Sequence, residues 1–303
     1  MGVGATGRPA VHVVGSANAD LIVVVDELPG PGATVASNDI TWAPGGKGAN
    51  QAVASARLGA RTTVTMAVGT DELAAIATRG LLESAIDPNG IRHVDAPTGV
   101  ATVCVDHTGE NLIVVAAGAN HALRPVDVAI TPGTDAVLVS LEVPLPVAVE
   151  ALTRARGLGA LAVCNAAPTT SGLALSDLGL DLLIVNETEA AAVGLDLGDH
   201  DAVADAARTL DTSIALTLGS AGAFVAQPGG PAVEIPARPS RVVDTVGAGD
   251  CFAAAITVAL AERRPLADAA RWAVVAAGLA VERRGAQTGM PHRREVDDAF
   301  PDR

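Results

Sequence analysis

From Ala136 to Arg283, short apolar runs that read as strands alternate with longer stretches of helical period. The strand-like runs are Ala136–Leu141, Ala160–Asn165, Leu182–Asn186, Ile214–Gly219 and Ala223–Ala226; the helical stretches are Pro146–Arg156, Asp201–Leu210, Ala248–Ala261 and Leu266–Arg283. The same alternation begins earlier, with strands at Val11–Gly15 and Thr63–Val68 and helices at Ala49–Leu58 and Glu72–Ser84. A strand followed by a helix returns to the sheet as a parallel neighbour through a right-handed crossover. The expected class is therefore α/β, a mainly parallel sheet flanked by helices. Such a sheet is buried on both faces. The composition can fill it: 49% of residues are hydrophobic and only 2% aromatic, so Ala, Val, Leu and Ile must make the core.

Two segments break the alternation. Leu21–Val25 and Thr34–Thr41 are strand-like but separated by Pro29, Pro31 and Gly32, with no helical period between them. Thr98–Val105 and Asn111–Ala116 form a second pair around His107-Thr108-Gly109-Glu110, a good hairpin turn. Both read as antiparallel excursions that build one small sheet beside the main domain, from about 16–43 and 97–117. Residues 1–10 read as a disordered lead-in, and 11–303 as one domain.

The net charge of −14 opposes non-specific binding to nucleic acid or to an anionic membrane surface. No run has the length and flanks of a membrane span or signal peptide. Cys104, Cys164 and Cys251 are widely spaced in apolar stretches, which suits free thiols in a reducing compartment and a cytoplasmic location. The histidines show no metal-ligand spacing.

Three clusters carry chemistry. In Asp244-Thr245-Val246-Gly247-Ala248-Gly249-Asp250, small residues open a helix whose apolar face is Phe252, Ile256, Ala259 and Leu260. Unpaired N–H groups at such a start suit an anion, and the helix dipole adds positive potential. Asp250 is out of place there unless it works. It is either an acid that merely favours the dipole, or a base that holds an attacking hydroxyl beside a phosphoryl group. The flanking glycines favour the second. Phosphoryl transfer tolerates so weak a base because its transition state is loose.

The second cluster, Gly45-Gly46-Lys47-Gly48-Ala49-Asn50-Gln51, contains the only lysine of the chain. It is neither a Walker A loop nor a dinucleotide fingerprint. Its glycines admit a ligand close to the backbone, and Lys47 and Asn50 can hydrogen-bond hydroxyls. In the third, Gly15-Ser16-Ala17-Asn18-Ala19-Asp20, Asn18 and Asp20 alternate and so face one side. A carboxylate there can accept from two vicinal hydroxyls. A plain glycine-rich turn and an Asx turn remain the alternatives for these two clusters.

Taken in order, Gly-Ser-x-Asn-x-Asp, Gly-Gly-Lys-Gly-Ala-Asn-Gln-Ala-Val-Ala, Asn-Glu-Thr-Glu-Ala, Asp-Thr-x-Gly-Ala-Gly-Asp and Gly-Ala-Gln resemble the ribokinase–fructokinase family of sugar kinases, over about residues 11 to 300. The resemblance implies a Rossmann-like domain with a small β-lid, and transfer of the γ-phosphoryl of ATP to D-ribose, giving D-ribose 5-phosphate. It implies Asp250 as base, with the amides of Gly247, Ala248 and Gly249 as anion hole. It assigns sugar contacts to Asn18, Asp20, Gly46, Lys47, Asn50 and Glu142. Asn186 and Glu189 match a motif linked to Mg²⁺ and phosphate placement. Thr217, Gly219 and Gly222, with Gly249, fall on the ATP loop. A monovalent cation, K⁺, is implied at the Asp244 carboxylate and the carbonyls of Val246, Ala280, Arg283 and Gly285. Gly289 stands where such chains often carry Ser, so one ligand is missing unless water or Thr288 replaces it. A homodimer through the lid is a further implication.

The rival substrates are deoxyribose, adenosine and other nucleosides, and sugar phosphates. A nucleoside needs an apolar or aromatic wall, for which Trp42 is a candidate; a sugar phosphate needs basic residues in the lid, and none lies between Leu21 and Thr41. A sugar-binding regulator without catalysis is the rival of another class, and Asp250 speaks against it.

Overall fold

The structure, a computed structural model, describes residues 7–37, 39–107, 110–169 and 178–300. Its strands are β1 (Ala10–Val14), β2 (Asn18–Val24), β3 (Asp39–Gly45), β4 (Arg61–Val68), β5 (Ile91–His93), β6 (Gly99–Val105), β7 (Asn111–Ala116), β8 (Ala136–Ser140), β9 (Leu161–Asn165), β10 (Leu182–Asn186), β11 (Ser213–Thr217), β12 (Gly222–Ala226) and β13 (Val233–Pro236). The helices are α1 (Lys47–Arg57), α2 (Leu73–Glu83), α3 (Leu145–Gly157), α4 (Glu187–Ala192), α5 (His200–Leu210), α6 (Ala248–Ala261), α7 (Leu266–Ala280), α8 (Ala286–Gly289) and α9 (Arg293–Ala299).

Among the described residues the main sheet runs β13-β12-β11-β10-β9-β8-β1-β4-β5. Pairing is parallel from β5 to β11, and antiparallel only at β12 and β13. Alternate residues feed two cores, as the strand period requires. Leu182 and Ile184 join the layer of α1, α2, α6 and α7. Leu183 and Val185 join the layer of α3 and α5. Small side chains let α6 pack tightly: Ala253, Ala254, Ala255 and Ala259 are all fully buried.

The chain leaves β1 toward β4 on one side and returns to β8 on the other. That reversal opens a crevice at the carboxyl ends of β1 and β8, the usual ligand position in an open α/β sheet. The residues after these strands include Ser16, Asn18, Asp20 and Glu142.

The small sheet has the order β3-β2-β6-β7. Each excursion is antiparallel within itself, β2 with β3 and β6 with β7, but β2 joins β6 in parallel. The hairpin turn expected at 107–110 includes Thr108 and Gly109, which lie outside the described residues. Expected bounds shift at several elements; β2, for instance, begins at Asn18 rather than Leu21. The second lid strand begins at Asp39 rather than Thr34 and runs on to Gly45. Helix α7 stops at Ala280 rather than Arg283, because the Val281 carbonyl accepts from the N–H groups of Val243 (2.8 Å) and Asp244 (3.2 Å), which draws the chain out of the helix. At the amino end, order starts before residue 11: Arg8 donates from Nε to the Gly59 carbonyl at 2.8 Å, and β1 begins at Ala10. The short elements β5, β13, α4, α8 and α9 carry too little periodicity to be read from sequence.

Candidate active site

Helix α1 starts against bare backbone. A Cβ on Gly48 would lie 2.5 Å from the carbonyl carbon of Gly15 and 2.6 Å from the nitrogen of Ser16, so only glycine permits the contact. Gly46 precedes it at φ 88°, a left-handed conformation that favours glycine. The N–H of Ala49 donates to the Ser16 carbonyl at 2.8 Å. This approach brings Lys47, Asn50 and Gln51, neighbours on one helix face, up to the loop after β1.

Glu142 ties the two together. Its Oε2 accepts from the Lys47 N–H at 3.0 Å and from the Ser16 hydroxyl. Asn18 is buried, and its Oδ1 accepts from Asn120 Nδ2 at 2.7 Å, which leaves its own amide NH₂ to donate. Asp20 packs on the α-carbon of Gly45, where any Cβ would collide with its carboxyl group. Asp20 Oδ1 is buried with no partner among the described residues. A buried acceptor left unpaired costs about 1–3 kcal/mol, which a ligand donor would recover.

Asp250 opens α6 from the opposite side and is 6% exposed. Asn50 donates from Nδ2 to its Oδ2 at 2.9 Å, and Gln51 from Nε2 to its Oδ1 at 3.1 Å. The sequence clusters of residues 15–20, 45–51 and 244–250 thus meet at one place.

Four acids and one lysine share this space. Burial, then Glu142 and Asp250, push the Asp20 carboxyl up to about 7. Burial also raises Asp250, against the pull of Lys47, Asn50 and Gln51. Burial raises Glu189. For Lys47, burial disfavours the ammonium, but Asp250, Glu142 and Glu189 outweigh it and the pKa rises. Lys47 is therefore a fixed cation, and Asp250 a more basic carboxylate than a free one.

Beyond α6 lies a cleft of about 650 Å³. Thr217, Gly219 and Gly222, the expected ATP-loop residues, line it together with Ala248 and Gly249. Its other wall is apolar, with Val242, Val274, Ala277 and Val281. Asp250 follows Gly249 directly, so one helix start borders both the cleft and the polar pocket. Of the three expected anion-hole amides, that of Ala248 already donates to the Thr245 carbonyl at 3.2 Å. Those of Gly247 and Gly249 have no acceptor among the described residues.

The remaining candidates sit outside the cleft. Asn186 and Glu189 form a capping box on α4: Asn186 Oδ1 accepts from the Glu189 N–H at 2.8 Å, and Glu189 Oε2 from the Asn186 N–H at 2.9 Å. Asp244 bridges two loops, accepting from Val246 N–H at 2.9 Å and from Gly285 N–H at 2.8 Å. A Cβ on Gly289 would lie 3.1 Å from the Ala280 carbonyl oxygen and 3.5 Å from that of Arg283, so those carbonyls do converge beside it. The Thr288 hydroxyl, the other candidate there, donates to the Arg284 carbonyl at 2.7 Å.

Several residues at the site have no assigned role in the sequence reading. Gln51 bridges Asp250 and Asn165, Asn120 orients Asn18 and the Ala17 amide, and Gln287 donates to Asn50 at 3.1 Å. Gln51 and Gln287 stand inside quoted motifs; an uncharged amide simply gives no separate signal.

The chain is similar to known proteins along nearly its whole length. A ribokinase from Haemophilus influenzae is 35% identical over 302 residues, 95% of this chain and 97% of that one. The structure of an Arabidopsis thaliana ribokinase complexed with ribose and ATP superposes with a TM-score of 0.87 at 29% identity, covering 98% of this chain and 100% of that one. A nucleoside kinase from Methanocaldococcus jannaschii reaches a TM-score of 0.82 at 21% identity, covering 97% and 99%, and shares the fold. Residues 8–293 match the pfkB family carbohydrate kinases, whose phosphoryl chemistry suits a carboxylate set between a polar pocket and a glycine-rich cleft. This chain belongs to that family, and is a carbohydrate kinase.

Proposed function

We propose that the protein transfers the γ-phosphoryl group of ATP to D-ribose, giving D-ribose 5-phosphate, with Asp250 as base. One observation carries this reading. The Asp250 carboxylate is held by Asn50 and Gln51 on the polar side, while the preceding Gly249 lines the cleft on the other. A hydroxyl on the polar side would meet the terminal phosphate of a nucleotide lying in the cleft. Asn18, Asp20, Lys47 and Asn50 offer the donors and acceptors a pentose needs. Glu142 supports them from behind through Ser16 and the Lys47 amide. The Gly247 and Gly249 amides would receive the negative charge of the transferring group. The relatives named for ribose point the same way.

Mg²⁺ bound with the nucleotide supplies neutralisation of phosphate charge. The residue that would reach it is Glu189, whose Oε1 is free of the capping box. For K⁺, the Asp244 carboxylate and the carbonyls of Ala280 and Arg283, which converge beside Gly289, fit a weakly held cation. The lid suits a homodimer: Ile40 is 60% exposed, Val114 60% and Trp42 38%. A dimeric mass in solution is expected; a monomer at working concentration contradicts it. Free thiols at Cys104, Cys164 and Cys251 support the cytoplasm as the compartment, and no helix among the described residues is long and apolar enough to cross a membrane.

The test is an ADP-coupled assay over pentoses, hexoses and nucleosides, with and without K⁺. Ribose is expected to give the highest kcat/KM, and K⁺ to raise it. Asp250→Asn should lower kcat by roughly 100-fold or more, as loss of a positioned base does. Preference for adenosine, or near-native turnover of Asp250→Asn, overturns the reading.

A further inference from the structure

Helix α8 is four residues long, yet its segment contacts Asp244, the Gly247 loop and helix α1. The Gly285 N–H that precedes it donates to Asp244. A Cβ on Gly247, in the anion loop, would lie 3.0 Å from the Cα of Ala286. Arg57, at the far end of α1, donates from one guanidinium nitrogen to the carbonyls of Gln287 (2.5 Å) and Met290 (3.0 Å). Gln287 is thus on a segment anchored at both ends, and its side chain is 3% exposed.

The side chain begins a chain of polarised hydrogen bonds. Gln287 Nε2 donates to Asn50 Oδ1 at 3.1 Å, and Asn50 Nδ2 donates to Asp250 Oδ2 at 2.9 Å. A carboxylate only accepts, so Asn50 must present its NH₂ to Asp250 and its oxygen to Gln287. Gln287 must then present its own NH₂. Its Oε1 is left buried with no partner among the described residues, against Gly80 of α2, where any Cβ would collide with it. An apolar side chain would fill this space without leaving an unpaired acceptor. What glutamine adds is a donor aimed at Asn50.

We propose that Gln287 is a positioning residue for phosphoryl transfer: by occupying Asn50 Oδ1 it fixes the Asn50 amide with its NH₂ toward Asp250. This inference rests on the reading of Asp250 as base. One N–H of Asn50 then holds Asp250 as an acceptor, and the second stays free for a sugar hydroxyl. Without Gln287 the amide can turn over. Its oxygen then faces Asp250 and favours the protonated acid, which cannot take the hydroxyl proton. The other charged groups around Asp250 are Lys47 from α1, Glu142 after β8, Asp20 from β2 and Glu189 from α4. All remain in place when Gln287 is changed.

The test uses the full chain with ATP and the preferred sugar, comparing Gln287→Glu, Gln287→Met and Gly80→Ala with wild type. Circular dichroism checks folding. Gln287→Glu keeps the shape but, ionised, cannot donate. It should lower kcat/KM for the sugar roughly 10- to 100-fold, the scale of a displaced catalytic group. The acid limb of its kcat/KM–pH profile should move to higher pH, while the KM for ATP stays within about 2-fold. Gln287→Met should follow in the same direction with a smaller loss. Gly80→Ala keeps Gln287 but presses on its Oε1, and should give a weaker version of the same profile. The double variant Asn50→Ala/Gln287→Met should be no slower than Asn50→Ala alone, because both act through one amide. A folded Gln287→Met, which has no donor in any ionisation state, with a native pH profile, equal losses for sugar and ATP, or additive losses in the double variant overturns the proposal. If neither Gln287 variant folds, an unchanged profile in Gly80→Ala overturns it. Asp250→Asn separates the two readings. If it stays active, the base assignment fails; if it is inactive while the Gln287 series is native, only the present inference fails.

Discussion

The two sides of α6 are built by opposite means. The polar pocket is built from side chains held in place by hydrogen bonds to one another: Glu142 holds Lys47 and Ser16, Asn120 holds Asn18, and Gln51 holds Asp250. The cleft is lined mainly by glycines and apolar side chains, Gly219, Gly222, Val274 and Ala277 among them, with Arg238 and a few hydroxyls such as Ser240 at its wall. The first arrangement discriminates, since a misplaced hydroxyl leaves a buried polar atom unpaired. The second tolerates shape variation, and a glycine there matters only through the room it leaves. Sugar selectivity and nucleotide affinity should therefore respond to different substitutions.

The largest effect should come from Lys47→Met. Three acids, Asp250, Glu142 and Glu189, act on this one ammonium, and without it a bound sugar would lose a charged hydrogen-bond donor, so the KM for the sugar should rise roughly 10- to 100-fold. The KM for ATP should move far less; a matching rise in both breaks the comparison. A smaller and opposite pattern is expected from Gly278→Val. Gly278 lines the cleft, and a Cβ there would lie 3.0 Å from the Ser240 hydroxyl. Overpacking should raise the KM for ATP roughly 3- to 10-fold and leave the sugar KM alone. Initial-rate kinetics with each substrate varied in turn checks both.

The smallest effect concerns pH and sharpens the contrast. Asp20 is pushed up to about 7 from an ordinary 3.8, so the folded chain holds its proton more tightly than the unfolded chain. The associated stability is complete below about 3.8 and is lost as pH rises through about 7. The Tm of the ligand-free protein should therefore fall more steeply between these values in wild type than in Asp20→Asn. Equal slopes in calorimetry would show that Asp20 is not desolvated as described.

The main sheet is legible in the sequence because buried parallel strands and Ala-rich helices impose strong, different periods. Strand β10 and helix α6 have the bounds read from the sequence. The lid strands are less so. The exposed faces of β3 and β7 loosen the apolar pattern, and the parallel join of β2 to β6 depends on contacts far apart in sequence. At the site, charged and glycine-rich positions stand out from their neighbours, which is why Lys47, Asp250 and Gly247 can be picked out one by one. The amides that orient them cannot. Gln287 lies 237 residues from the Asn50 it contacts, and only the folded chain brings them together. The capping role of Asn186 and Glu189 is local and could be read as such from their i, i+3 spacing.

The solitary ε-amine has a practical corollary. An endoprotease that cuts after lysine has one target bond in the chain, Lys47–Gly48, and Gly48 is pressed against Gly15 in the first turn of α1. Cleavage needs several residues drawn out as an extended strand, so the native enzyme is cut only when that turn lifts away. The digestion rate then counts how often the pocket floor comes undone, and a bound sugar should slow the clock.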